Sequence, residues 1–230
     1  MFRRLLPYVL VALISAGLTI AFQPPAHLQA LAQTGCQSFP QTGKTVCGKF
    51  LTYWQKNGGL AQQGLPISNE FMEISDMDGK PYTVQYFERA VFEKHPENQP
   101  PHDVLLQWLG VFLYHERYGK GVEHQQPNTA TGTVTFPQTG YHLGGIFLSY
   151  WQAHGGLAQQ GYPISDEFME RSELDGKVYR VQYFERAVFE MHPENAAPHD
   201  VLLSQLGTFQ FKRKYPNGEP GGPVTPNRGR

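Results

Sequence analysis

Two short stretches of this 230-residue chain collect side chains that can move protons or hold a metal. One is Glu93-x-His95-Pro96-Glu97, with His102 and Asp103 close behind. The other is Glu190-x-His192-Pro193-Glu194, followed by His199 and Asp200. A zinc site needs three or four N, S or O ligands around one point, and this spacing belongs to no established metal motif. His-Glu-x-x-His is absent. The His-x-Glu half of a zinc deaminase is present without its Pro-Cys-x-x-Cys half. Neither a metal nor another cofactor is expected, and no catalytic residue is assigned. Histidines hydrogen-bonded to turns account for the same pattern. Carboxylate pairs for glycoside hydrolysis can be drawn from Glu88, Glu93 and Glu97, which keeps a hydrolase as an alternative. Ser68 and Ser165 follow Pro-Ile and read as cap or turn residues rather than nucleophiles.

Just upstream lie Tyr86-Phe87-Glu88-Arg89 and Tyr183-Phe184-Glu185-Arg186, each inside an apolar run. An arginine offers a planar donor fork to a carboxylate, phosphate or sugar acid. The competing use is an internal ion pair that pins a turn. Strand alternation sends Tyr86 and Phe87 to opposite faces. The polar hydroxyl makes Tyr86, and with it Tyr183, the residue expected nearer solvent, where it can stack on a sugar ring. Core packing is the competing use of the aromatics. The ligand-binding candidates are therefore Tyr86, Glu88, Arg89, Tyr183, Glu185 and Arg186.

Both sets of residues occur twice because the chain is written twice. Residues 39–119 and 136–216 align at a constant offset of 97 without a gap, and about two-thirds of positions are identical. A period of this kind signals a repeat architecture. Tandem modules commonly bind, and gain avidity by binding twice.

The elements that must position these residues follow one order in each copy. Residues 48–57 have Phe50, Tyr53 and Trp54 at helical spacing, and Gly58-Gly59 supplies the stop. Residues 60–65 read as a loop. Residues 71–74 form a short strand, Asp78-Gly79 a tight hairpin with positive φ at both positions, and residues 82–87 the return strand. Residues 90–94 are a third extended segment, limited by Pro96. Residues 103–118 read as a closing helix capped by Asp103, with Gly110 and Gly207 as weak points. The expected class is α+β: two homologous modules, each helix, small antiparallel sheet, helix, after an N-terminal signal peptide. Residues 33–119 and 136–216 are the modules, 120–135 a linker and 217–230 a disordered tail.

Gly48, Tyr53-Trp54, Gly58-Gly59-Leu60, Gly64-Leu65-Pro66-Ile67-Ser68-Asn69-Glu70 and the Asp-Gly turn with its aromatic strand resemble LGFP-type repeats of exported bacterial cell-surface proteins. Gly161-Tyr162-Pro163-Ile164-Ser165-Asp166-Glu167 repeats the pattern. The string at 84–93, repeated at 181–190, is similar to that of small exported repeat proteins from Chloroflexus-like bacteria. Leu65 and Tyr162 replace the phenylalanine of the LGFP motif, and the unit here is longer. The resemblance implies association with the cell envelope.

Arg3 and Arg4, the apolar run of residues 5–22 and Ala30-Leu31-Ala32 read as a signal peptide ending at residue 32. Export predicts a disulfide between Cys36 and Cys47. Thr133 and Gly144 stand at those positions in the second copy, so the bridge is a local staple. After cleavage the charge is near −3, from 17 basic and 20 acidic residues. That balance argues against nucleic acid. The expectation is a secreted or cell-surface monomer that no longer contacts the membrane. Its partner would be cell-wall glycan or another surface polymer. An architectural spacer is the third alternative.

Overall fold

The computed structural model describes residues 35–119 and 121–220. The expected signal peptide, residues 1–32, lies outside the described residues. The first copy opens with a hairpin, β1 (Cys36–Phe39) and β2 (Lys44–Cys47). It continues through α1 (Gly48–Lys56), α2 (Gly59–Gln62), β3 (Phe71–Ile74), β4 (Pro81–Tyr86), β5 (Val91–Lys94), β6 (Val104–Leu106) and α3 (Leu109–Tyr118). The second copy repeats the order as β7 (Val134–Thr135), β8 (His142–Leu143), α4 (Gly145–Ala153), α5 (Gly156–Gln160) and β9 (Phe168–Arg171). It ends with β10 (Val178–Tyr183), β11 (Val188–Met191), β12 (Val201–Leu203) and α6 (Leu206–Lys214). The class is α+β, with four-stranded antiparallel sheets β3-β4-β5-β6 and β9-β10-β11-β12.

Several local expectations change. Residues 59–62 are a short helix rather than loop. Two successive glycines with positive φ, Gly58 (+84°) and Gly59 (+49°), let α1 stop and α2 start at once. The Asp78-Gly79 turn is not the tight form, since only Gly79 has positive φ. The connection spans six residues and is closed by Ser75 N–H donating to the Lys80 carbonyl (2.8 Å). Residues 104–106 are a fourth strand, because Val104 and Leu106 bury one face of a short edge while His95 N–H donates to the Asp103 carbonyl (3.0 Å). Asp103 thus caps no helix; its carboxylate pairs with Lys49.

Each sheet has two covered faces. On one, Phe50 of α1 and Phe87, Phe92, Val104 and Leu106 make a core private to the first copy. Phe147, Phe184, Phe189, Val201 and Leu203 do the same in the second. The opposite faces share one core, in which Tyr82, Val84, Tyr86 and Val91 join Tyr179, Val181, Tyr183 and Val188 with Leu109 and Leu206.

The closing helices are exchanged. Helix α3 packs on β10 of the second copy, α6 on β4 of the first, and the two helices on each other. Gly110 N–H donates to the Glu185 carbonyl (3.1 Å), and Thr208 N–H donates to the Glu88 carbonyl (3.0 Å). A Cβ on Gly110 would lie 1.9 Å from the Phe184 carbonyl oxygen, and one on Gly207 1.9 Å from that of Phe87. These glycines are therefore contact points, not weak points. The exchange also replaces the picture of tethered beads. Gln126 of the expected linker pairs backbone-to-backbone with Glu167, and Gln125 accepts from Asp166 N–H (2.8 Å). In the expected tail, Glu219 accepts from Lys44 (2.9 Å) and from Asn69 N–H (2.8 Å).

Cys36 and Cys47 face each other across β1 and β2 and are bonded. The second copy uses a polar staple instead. Asn128 accepts from Ala130 N–H and the Thr133 hydroxyl and donates to Glu167, in space that a Cβ on Gly144 would fill.

Two outcomes follow for stability. Gly207→Ala is expected to cost about 1–3 kcal/mol by overpacking, and to shift both copies together. Urea curves from single-tryptophan variants retaining Trp54 or Trp151 check this; separate midpoints would contradict the shared core. Replacing Cys36 and Cys47 together by serine should cost roughly 2.5–3 kcal/mol for a loop of this length. The fold should survive, as read by circular dichroism.

Candidate functional site

The first copy's Glu/His stretch is folded into a polar chain that runs from the exposed Asp78 and Glu97 to the buried Glu93 and Glu73. The Tyr82 hydroxyl shares its one proton between Asp78 (2.9 Å) and Glu97 (3.2 Å), and its ring lies 4.0 Å from that of His95. His95 Nδ1 meets Glu97 (2.9 Å) and Nε2 meets Glu93 (3.2 Å). Gln107 then bridges Glu93 (2.9 Å) to Glu73 (3.2 Å). The second copy repeats this from Asp175 through Tyr179, Glu194, His192 and Glu190 to Ser204. A backbone N–H at Glu97 and the His95 ring hold the Glu97 carboxyl below its ordinary value. Both ring nitrogens are used, and Glu93 is buried, so no imidazole nitrogen is left to face a substrate. Among the described residues, no group of three or more His, Cys, Asp or Glu is placed to hold a metal ion.

The tyrosine expectation is corrected. Tyr86 and Tyr183 are 0% exposed. Register explains this: Tyr82, Val84 and Tyr86 all point into the shared core, and the exchanged helix covers them. Each hydroxyl is spent on a carboxylate, the buried Glu73 or the half-buried Glu170. Tyr86 donates to Glu73 (2.7 Å), which also takes Lys214 of α6 (2.9 Å) and Tyr215 just beyond it. Tyr183 donates to Glu170 (2.8 Å), which takes Arg117 and Tyr118 of α3. These two acid clusters lock the exchanged helices.

Glu88 and Arg89 split between two roles. The Glu88 carboxylate accepts from Leu65 N–H (3.0 Å) and lies 3.9 Å from the Arg89 guanidinium, too far for a hydrogen bond. Glu185 does the same with Tyr162 N–H (3.1 Å) and lies 3.7 Å from Arg186. The glutamates brace turns. Each arginine donates one N–H to a carbonyl, Arg89 to Leu60 (3.0 Å) and Arg186 to Leu157 (3.1 Å). Both guanidiniums then line one small cavity of about 20 Å³ on the pseudo-twofold axis.

That cavity is walled equally by the two copies. Gln62, Gln63, Arg89, Ala90 and Leu106 face Gln159, Gln160, Arg186, Ala187 and Leu203, with Ser204 added. The glutamines stitch the halves reciprocally. Gln63 donates to Gln159 and Gln160 to Gln62, both at 2.9 Å. Gln62 donates to the Tyr150 hydroxyl (2.8 Å) and Gln159 to that of Tyr53 (2.9 Å). Burial pushes the Tyr53 phenol's pKa up, offset in part by Gln159 and Arg186; burial does the same at Tyr150, offset by Gln62 and Arg89. No carboxylate lines the cavity. Arg89 Nε is buried without a hydrogen-bond partner among the described residues.

Sequence reasoning thus reached the arginines and missed the glutamines. The signal was the string 58–64, repeated unchanged at 155–161, in which two adjacent polar residues persist inside a predicted loop. No family model, curated protein or solved structure matches this chain.

The tyrosines yield a pH dependence. Burial, then the Glu73 charge, raises Tyr86 well above the ordinary phenol range; burial and Glu170 do so for Tyr183. Folded values above unfolded ones mean that stability is fully present below pH ~10 and lost as pH rises beyond it. Tyrosinate absorbance of these residues should therefore appear only together with loss of the circular dichroism signal. Full phenol titration at about pH 10 in the folded protein would overturn the assignment.

Proposed function

We propose that this is an exported, non-catalytic binding protein that associates with a cell-wall glycan or another surface polymer. In this reading its two like modules, each helix, sheet, helix in chain order, act through one composite face rather than two separate ones. The observation that carries it is the convergence of Arg89 and Arg186 on a single cavity with equal walls from both copies. A duplicated binding surface fits that equality, whereas a catalytic centre calls for different residues in different roles.

Other features support the reading. The likeness to LGFP-type repeats implies envelope association, and the apolar leader implies export. The Cys36–Cys47 bond is compatible with an oxidising compartment. Both ring nitrogens of His95 are taken up by Glu93 and Glu97, which favours a structural role for that stretch. Among the described residues no helix is long and apolar enough to cross a membrane.

The test is retention of the protein on purified bacterial wall fractions and a glycan array. Arg89→Ala with Arg186→Ala should weaken retention more than either change alone, by about tenfold or more for each charged hydrogen-bonding group removed. Retention on none of these polymers removes the reading. Turnover of a glycan that vanishes in a folded Glu97→Gln variant replaces it with a hydrolase.

A further inference from the structure

We infer that the cavity on the pseudo-twofold axis is a carboxylate-binding site, so that the polymer bound is an acidic one. The polymer half of this inference rests on the reading above; the chemistry of the cavity stands on the geometry.

The first argument is charge. Arg89 and Arg186 both line the cavity, and none of its other lining residues is acidic. The nearest carboxylates on the same turns, Glu88 and Glu185, are committed to the Leu65 and Tyr162 amides and stand beyond hydrogen-bond range of the guanidiniums. Each cation thus keeps its own acid at ion-pair distance but donates no hydrogen bond to it, which leaves guanidinium N–H groups free beside the cavity. Donors left unpaired beside a cavity favour a ligand or water that accepts from them.

The second argument is unspent donors. A guanidinium has five N–H groups. Each of these two spends one on a carbonyl. The buried Nε of Arg89 has no partner among the described residues. The side chains of Arg89 and Arg186 keep 24% and 22% of their surface, so both arginines are reached by solvent.

The third argument is size. A volume of about 20 Å³ admits a group of water size. It excludes a sugar ring. A carboxylate can place one oxygen in it and leave the rest of the residue outside, and the planar fork of arginine matches carboxylate geometry. The ligand class is thus a polymer bearing carboxylates on its sugar rings. A free small carboxylate shares the chemistry and serves as the probe.

The experiment uses the mature protein and two probes. Acetate, at constant ionic strength, should raise the melting temperature saturably. Chloride and sulfate should not reproduce this. Polygalacturonate should be retained on the protein at least tenfold more strongly than its methyl-esterified form. Arg89→Lys with Arg186→Lys keeps the charge but removes the fork. It should abolish the acetate effect and the preference for the acid polymer, while the melting temperature without ligand is retained. Saturable acetate binding without retention of any polymer upholds the site and removes the surface-polymer reading. Equal retention of the acid and esterified polymers, unchanged in the double lysine variant, overturns the site and spares the binder. Equal effects of chloride, sulfate and acetate also overturn it, since the cavity would then hold anions without selecting carboxylates.

Discussion

Everything in this molecule depends on where the closing helix of each copy finds its partner. Helix α3 leaves the first sheet and lies on the second; α6 makes the reverse journey. The contact is close enough that a single Cβ at Gly110 or Gly207 would collide with a strand carbonyl. It is sealed by charge in low-dielectric surroundings. Arg117 and Tyr118 reach Glu170, while Lys214 and Tyr215 reach Glu73. Breaking such a buried pair leaves an uncompensated charge, which costs far more than the pair contributes when whole. Neither sheet can therefore keep its inner face covered if the other copy departs.

The exchange also creates the cavity. Once the helices fix the two sheets about a pseudo-twofold axis, the short helices α2 and α5 meet, and Gln62, Gln63, Gln159 and Gln160 saturate one another. Arg89 and Arg186 come to the same place because each follows the strand whose carbonyl receives the other copy's helix. Avidity between tethered beads is then the wrong frame. The two copies wall a single cavity whose geometry is set by the core rather than by a linker.

Much of this was legible in the chain. The strands at 71–74 and 91–94, the return strand and the first helix follow from period and turn chemistry, and the disulfide from compartment and count. Three things were not. Residues 104–106 look helical because Leu105 and Leu109 fit a helical spacing, yet an open sheet edge claimed them. Tyr86 looks amphipathic, but its hydroxyl was satisfied from within by Glu73. Single-sequence reasoning prices a tyrosine O–H as seeking water and cannot see a buried carboxylate 13 residues away. The exchange itself leaves no local trace, because period and propensity say which face is apolar and never which copy covers it.

Duplication has a further consequence at the axis. In a symmetric pair of identical chains, a side chain on the twofold axis meets itself, so a charge there repels its own image. Here Glu116 of α3 pairs with Arg213 of α6, and these are equivalent positions at the offset of 97. Fusion into one chain has let the two halves diverge into complements where symmetry would have forbidden it. The same freedom gave one hairpin a disulfide and the other Asn128, and placed Gln107 opposite Ser204. Against that drift, the cavity residues Gln62, Gln63, Arg89 and Ala90 are unchanged in their partners Gln159, Gln160, Arg186 and Ala187. Complementarity between the halves would have allowed these residues to differ, as Glu116 and Arg213 do. Their identity brings two arginines to one cavity, each with its own glutamate at ion-pair distance (3.9 and 3.7 Å).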